Sequence, residues 1–339
     1  KINTENLLFF EWYNFSIFSF IELFTLVNTK KIINNLILNI LIFINIMKIK
    51  ILLFFLLIIS CSDSSFKKEL DEWKSKRYNA LFAEDGYLNL AGLFLLESGS
   101  YTMGSSDLND FIFPSDFPEK LGVLNVIDSV VSFEYLIEVN YKDSISIKKT
   151  SYHINDKNVY FSWKTFRWYI HSDPGVMSIR LRDLRHPMLD EKLKIDFFQP
   201  NKSLALNGKF IKYDLIKFQQ TNNIIGATFS EQIPGIIKFK IKNKEFSLEP
   251  TIAPSGNFFI VFADETNGIE TYGGGRFLYV NPPDNNGNVL INFNKAYNPP
   301  CVFSSFTTCP LPSAFNTLDI SINAGEKMYN GKLYSSIYE

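Results

Sequence analysis

Hydrophobic positions along this chain change their period once. Phe66, Leu70, Trp73, Tyr78 and Leu81 fall close to a 3.6-residue stripe with charged residues between them, which predicts a helix closed by Gly86. Beyond Gly86 the period drops to two. Strands are predicted at residues 87–96, 130–139, 144–149, 159–163, 166–170, 177–181, 236–242, 246–248, 258–262, 277–280 and 289–293, most of them short and bounded by turn residues. Ser172-Asp173-Pro174-Gly175 predicts a hairpin turn, because Pro presets one turn dihedral and Gly accepts the positive one. Arg180 and Arg182 alternate with Ile179 and Leu181, so both guanidinia leave the same face. No alternation of strand and helix occurs. The pattern therefore predicts a mainly β protein, antiparallel and sandwich-like or barrel-like, with one leading helix.

The chain's beginning reads differently. Met47-Lys48-Ile49-Lys50 precedes the apolar run 51–59, then Ser60 and Cys61. A short cationic start, an apolar core too short to span a bilayer and a small residue before the cut are what a secretory signal requires. Ile58-Ile59-Ser60-Cys61 resembles the lipobox of bacterial lipoproteins, and that resemblance implies acylation at Cys61 and a membrane held through the lipid. The competing reading, a transmembrane anchor from about residue 33 to 59, would place Lys48 and Lys50 mid-span at a cost of about 2.5–3.5 kcal/mol each. Residues 1–46 are rich in Ile, Asn, Leu, Phe and Lys without a period and begin with Lys, so they read as upstream translation ahead of Met47 rather than as fold. The expected organisation is then 1–46 non-native, 47–61 signal peptide, 62–86 tether and helix, 87–190 a β-sandwich-like region and 191–339 a C-terminal β region. The expected location is the cell envelope, lipid-anchored at the periplasmic or outer-membrane face of a Gram-negative bacterium.

About 280 residues follow the signal, enough to bury roughly three-quarters of their unfolded surface without a staple. A net charge of −1 and a pI near 6.4 give no electrostatic case for nucleic acid. Lys238, Lys240 and Lys242 alternate with apolar residues as a strand's solvated face does.

The distinctive blocks lie late in the chain. They are Asp264-Glu265-Thr266-Asn267-Gly268, Glu270-Thr271-Tyr272-Gly273-Gly274-Gly275-Arg276-Phe277-Leu278, Asn292-Phe293-Asn294-Lys295-Ala296-Tyr297-Asn298-Pro299-Pro300-Cys301, Thr308-Cys309-Pro310-Leu311-Pro312 and Ala324-Gly325-Glu326-Lys327. Their order and spacing resemble the bacterial and archaeal family catalogued as domain of unknown function 1684, over roughly the last two hundred residues. The resemblance implies no activity. A shorter likeness, residues 104–114 to a segment of forkhead-associated domains, suggests a sandwich for 87–190. Ser105 stands where those domains place a phosphate-holding Arg, so phosphopeptide binding is not implied.

Nucleophile elbows, zincin helices, phosphate loops and dinucleotide fingerprints are all missing, and no cofactor is predicted. His153, His171 and His186 are scattered, which argues against a multi-His metal site. Cys301 and Cys309 flank a Pro-rich loop and form a candidate disulfide in an oxidising compartment, with two buried thiols as the alternative; a metal site would need two further ligands that no nearby Cys or His offers, and a redox pair would favour the closer Cys-x-x-Cys spacing, which is absent. Three glycines after Tyr272 let the backbone turn and deliver Arg276, a planar fork that suits a carboxylate or phosphate. Arg276 therefore marks either an anion site or an internal pair with Asp264, Glu265 or Glu270. Asn292, Asn294, Tyr297 and Asn298 either lock turns or face a cleft.

Two functions follow from this. One is a non-catalytic module that binds a small molecule, polymer or protein through Tyr272, Arg276, Asn294, Tyr297 and Asn298. The other is a hydrolase using Asp264, Glu265 or Glu270 as acid or base, with Arg276 holding an anionic substrate. Two carboxylates facing across a pocket of a few hundred Å3 would favour the enzyme.

Overall fold

A computed structural model describes residues 41–48, 50, 64–173, 176–331 and 333. The chain divides into two compact units, Lys1–Lys68 and Glu69–Glu339. In the first unit, residues 41–48 form an exposed helix (α1). The apolar run of the expected signal, the lipobox and Cys61 lie outside the described residues. Among the described residues no helix is long and apolar enough to cross a membrane.

A second helix, α2, covers residues 64–82, and after it the protein is mainly β, with a nearly closed barrel-like sheet and curled sheets. Leu70 and Leu81 of α2 are buried, whereas Tyr78 is exposed. The packed stripe runs 70-73-77-81, so Arg77 holds the place that hydropathy alone assigns to Tyr78. Arg182 ties the end of α2 to the sheet. It donates to the carbonyls of Asp85 and Gly86 and, at 2.6 Å, to Asn89 Oδ1. That guanidinium satisfies carbonyls of the loop that follows α2.

One sheet of nine strands follows. Its members are β1 (Leu90–Leu95), β2 (Gly99–Gly104), β3 (Phe111–Ile112), β4 (Gly122–Ile127), β5 (Val130–Tyr141), β6 (Ile145–His153), β7 (Phe161–Trp163), β8 (Phe166–Asp173) and β9 (Val176–Asp183). They are ordered β1-β9-β8-β7-β5-β4-β2-β3 with β6 also on β5, antiparallel except for β2 and β3. β8 and β9 extend up to the expected turn, registered Asp173 to Val176, while Pro174 and Gly175 lie outside the described residues. Phe113, Phe133, Phe161 and Trp168 fill the core, with Trp168 Nε1 donating to Tyr135 Oη at 3.2 Å. Strand alternation and register place Phe133, Phe161 and Trp168 on one face of the sheet, and Phe113, just past β3, packs edge-on against Trp168.

The remaining strands are β10 (Ala205–Asn222), β11 (Thr228–Ile241), β12 (Lys244–Leu248), β13 (Thr251–Ile252), β14 (Phe258–Asp264), β15 (Arg276–Val280), β16 (Asn288–Asn292) and β17 (Thr317–Leu318). One sheet runs β12-β11-β10-β16; the other runs β13-β14-β15 with β17 parallel to β14. Lys242 and Asn243, both at positive φ, make the two-residue turn between β11 and β12. Pro234 sits where the β10–β11 register shifts, a bulge being where a strand tolerates a residue without an N–H. Leu248, Ile260, Phe262, Leu278, Ile291 and Phe293 pack the interior. Phe259, Val261, Phe277 and Tyr279 alternate with those inward residues and so mark the outer face of β14–β15.

Candidate functional site

The connection from β14 to β15 carries the glycine-rich block. Gly275 has φ +93° and a Cβ there would meet Pro312 and the Phe262 carbonyl, so the chain can turn here only as glycine. The turn delivers Arg276 inward, opposite Phe262. Arg276 is fully buried; it donates to Asp264 Oδ2 at 2.5 Å, to the Ala324 carbonyl at 2.5 Å and to the Ile322 carbonyl at 3.0 Å. Burial pulls its pKa down and Asp264 pulls it back up. The other oxygen of Asp264 accepts from Thr266 N, Thr266 Oγ1 and Ile322 N. Asp264 and Arg276 thus join the turn to the C-terminal block at 322–324, with no lone pair of the acid aimed at solvent.

A second buried pair lies beside it. Glu326 is fully buried and accepts Arg77 Nε at 3.2 Å and Asn298 N at 2.8 Å. Burial raises the pKa of Glu326 and Arg77 opposes that rise. Asn298 is buried as well, donating Nδ2 to the Lys327 carbonyl at 2.8 Å and accepting Arg77 at its own carbonyl at 3.0 Å. Asn294, another buried amide, clamps Asn201 through both backbone groups at 2.7 and 2.8 Å. Of the residues expected at a ligand face, Arg276, Asn294 and Asn298 are therefore turned inward, and Tyr272 and Tyr297 are half-buried.

Tyr297 is where the loop reaches the surface. It bridges to Phe277 backbone to backbone at 2.9 and 3.0 Å, which lays its ring on the outer face of β15. Around it stand Tyr279, stacked at 6.2 Å and 50% exposed, Trp73 at 6.5 Å, and the Arg77 guanidinium 4.5 Å over the ring. Burial holds the Tyr297 phenol well above its ordinary pKa. Phe197 meets the far edge of Trp73 at 6.4 Å, and Phe259 continues past Tyr279 at 5.1 Å. Beside this run of rings lies a groove of about 410 Å3 whose walls include Lys74, Arg77, Tyr78, Lys194, Ile195 and Phe197.

Tyr272 meets the thiols that pack into the same outer-face cluster as Tyr297, Phe259 and Phe277. Cys301 and Cys309 are free thiols, and Cys301 N donates to Cys309 Sγ at 3.1 Å. Cys301 Sγ donates to Tyr272 Oη at 3.7 Å and Cys309 Sγ to Thr307 Oγ1 at 3.6 Å. The candidate disulfide pair is thus brought together in the thiol form.

The acids expected for chemistry are dispersed. Glu265 accepts Ser321 Oγ at 3.0 Å and Glu270 pairs with Lys327 at 3.3 Å, both at exposed positions. Two carboxylates that the strand pattern hides, Glu231 and Glu249, line a cavity of about 20 Å3. Glu249 is held by Tyr213 Oη at 2.6 Å and Lys217 Nζ at 2.7 Å, and Glu231 accepts Thr221 Oγ1 at 2.6 Å with its pKa raised by burial. That cavity admits about one water, so it offers no room for a substrate. No group of three or more His, Cys, Asp or Glu that could hold a metal occurs among the described residues.

Sequence reasoning passed over Arg77 and Glu326 as site residues. Glu326 lies within the Ala324-Gly325-Glu326-Lys327 block, and Arg77 shows itself when the α2 stripe is fitted from Leu70 and Leu81 rather than from the aromatic at 78.

No curated protein matches the chain. Among solved structures it is similar to an uncharacterized protein of Haloarcula marismortui determined by solution NMR, at 21% identity and a TM-score of 0.36, covering 43% of this chain and 82% of that one. Residues 193–327 match the family described as "Protein of unknown function (DUF1684)", and this match supports that domain family for the stretch holding β10–β17, Arg276 and Glu326.

Proposed function

We propose that this chain is a non-catalytic binding module whose ligand lies in the groove beside α2 and against the rings of Phe197, Trp73, Tyr297 and Tyr279. The observation that carries this reading is Arg77, which lines a groove of about 410 Å3 and caps the Tyr297 ring at 4.5 Å. A concavity of that size with apolar walls and a few placed cations suits a small molecule or one stretch of a polymer. The enzymatic alternative has less support: Asp264 is bonded through both oxygens, and Glu265 and Glu270 lie exposed on separate partners. Aromatic faces and a cation over a ring favour a ligand with a flat apolar face and an anionic group.

Calorimetric titration of the purified chain with a sulfated oligosaccharide, a neutral oligosaccharide and an acidic peptide tests the reading. The expected result is binding of an anionic probe tighter than about 1 mM. Lys194→Glu, at an exposed wall of the groove, should weaken that binding without moving the urea unfolding curve. Silence from all three probes, or an affinity indifferent to Lys194→Glu, would refute it.

The reading includes export and acylation at Cys61, supported by the run from Met47 through Ile58-Ile59-Ser60-Cys61. Incorporation of a clickable palmitate analogue that disappears in Cys61→Ala is expected. Equal labelling of the variant would remove the anchor from the proposal.

A further inference from the structure

The geometry points to a dithiol redox site at Cys301 and Cys309, in which Cys301 attacks an external disulfide and Cys309 resolves the adduct. This goes beyond the binding module and does not depend on it. The two thiols pack into one hydrophobic cluster with Val261 and Phe277: Cys301 N donates to Cys309 Sγ at 3.1 Å, and Cys301 Sγ reaches Tyr272 Oη at 3.7 Å. Exposure separates their roles, because Cys301 is half-buried whereas Cys309 is buried. Fixed backbone holds the pair together. Cys301 sits in the 3-10 turn Pro300–Val302, and the Cys309 carbonyl accepts Ile224 N at 2.9 Å while Pro310 bridges to Asn223.

The electrostatics agree with that division of labour. Hydrogen bonding to Cys309 lowers the pKa of Cys301, with Tyr272 adding to the effect, and burial drives the Cys309 thiol far up. The thiolate is the nucleophile, so Cys301 is the one that reacts. Its sulfur attacks one sulfur of a small or protein disulfide; that S–S bond breaks and one thiolate leaves. Cys309 then passes its proton to the thiolate released in the first step and attacks the Cys301 sulfur, displacing the second thiolate, which takes a proton from water, and closing the Cys301–Cys309 bond. Both protein thiols are oxidised by two electrons in total, and the external disulfide is reduced to two thiols. Closure removes the S–H that Cys301 gives to Tyr272, so the oxidised state also releases the Tyr272 phenol on the outer face.

The test uses the full native chain incubated with oxidised glutathione, then alkylated and digested with trypsin. Residues 296–327 contain no Lys or Arg before Lys327, so one peptide carries both thiols and excludes Cys61. Expected is a peptide that takes up no alkylating agent and is lighter by two hydrogens, restored by dithiothreitol. Cys309→Ser should stop at a glutathione adduct on Cys301, and Cys301→Ser should leave Cys309 unmodified at least roughly tenfold longer. Two alkylated cysteines after native oxidation of the parent would overturn the proposal whether or not the variants fold. An adduct forming on Cys309 as fast as on Cys301 would overturn the assignment of roles.

Discussion

The nine-stranded sheet and the β14–β15 region are both antiparallel and aromatic, yet they are held in different ways. Inside the first, Phe133, Phe161 and Trp168 meet other rings, with the Trp168–Tyr135 hydrogen bond among them. At the edge of the second, Arg276 meets Asp264 with both side chains fully buried, and Arg77, at the wall of the groove, meets the buried Glu326. Packing is non-directional and tolerates small changes of shape. A buried ion pair is unforgiving, since removing one partner strands the other without water. The comparison teaches that the long irregular turns of the C-terminal region are positioned by buried charge, while the interior of the larger sheet stands mainly on ring packing.

Breaking a pair should therefore give the largest effect. Arg276→Ala leaves Asp264 without its cation and the carbonyls of Ala324 and Ile322 without donors. A loss of about 3–5 kcal/mol in urea unfolding is expected. In the nine-stranded sheet, Phe133→Leu should cost only about 1 kcal/mol, because neighbouring rings can close on the space. Equal losses for the two would erase the contrast.

Acidity separates the regions more sharply. Glu326 has its pKa raised above the ordinary 4.5 by burial, so the folded protein binds that proton more tightly than the unfolded chain does. The sign follows from linkage: the stabilisation is complete below the unfolded value and is lost as pH rises through the folded value. Glu231, also raised by burial, acts in the same direction. The contribution of these two acids should thus decline as pH rises above 4.5, while His186, held below its ordinary 6.5 by burial, adds stability as pH rises towards neutral, and Glu326→Gln should remove its own part of the decline. Phe133→Leu should reproduce the parent's slope, shifted downward at every pH. A Glu326→Gln profile parallel to the parent's would mean that Arg77 fully compensates the burial of this acid.

Much of this contrast was legible in the residues, and the illegible part has physical causes. Period-two runs located the buried strands, since alternation records a face turned to a core, and the mainly β class with a leading helix followed from them. β10 left no such trace. It is 18 residues long, largely exposed, and held by backbone ladders to β11 and β16, so propensity alone could not mark it. Arg276 and Asp264 were legible as residues but not as partners, because which of Asp264, Glu265 and Glu270 meets the guanidinium depends on how the Gly275 turn folds back. Arg77 was hidden by a helical phase offset of one residue, since Tyr78 looks apolar and Arg77 does not. A guanidinium over an aromatic ring is a buried-face residue that hydropathy scores as solvent-facing.

The smallest effect expected is also the most local. Tyr272→Phe deletes the hydroxyl that Cys301 meets at 3.7 Å and leaves the ring in place. A weak sulfur hydrogen bond contributes little to stability, so the unfolding free energy should move by no more than about 0.5 kcal/mol. The informative measurement is the rate at which Cys301 is alkylated at neutral pH. When Cys301 is a thiol it donates to Tyr272 Oη; when it is a thiolate the phenol can rotate and donate back, which is how Tyr272 lowers the Cys301 pKa. Removing the hydroxyl should raise that pKa, shrink the thiolate fraction and slow alkylation, with Cys309 unchanged because its thiol is governed first by burial. Faster alkylation in Tyr272→Phe would mean that the phenol shields Cys301 sterically, and the acidity of this thiol would then rest on Cys309 alone.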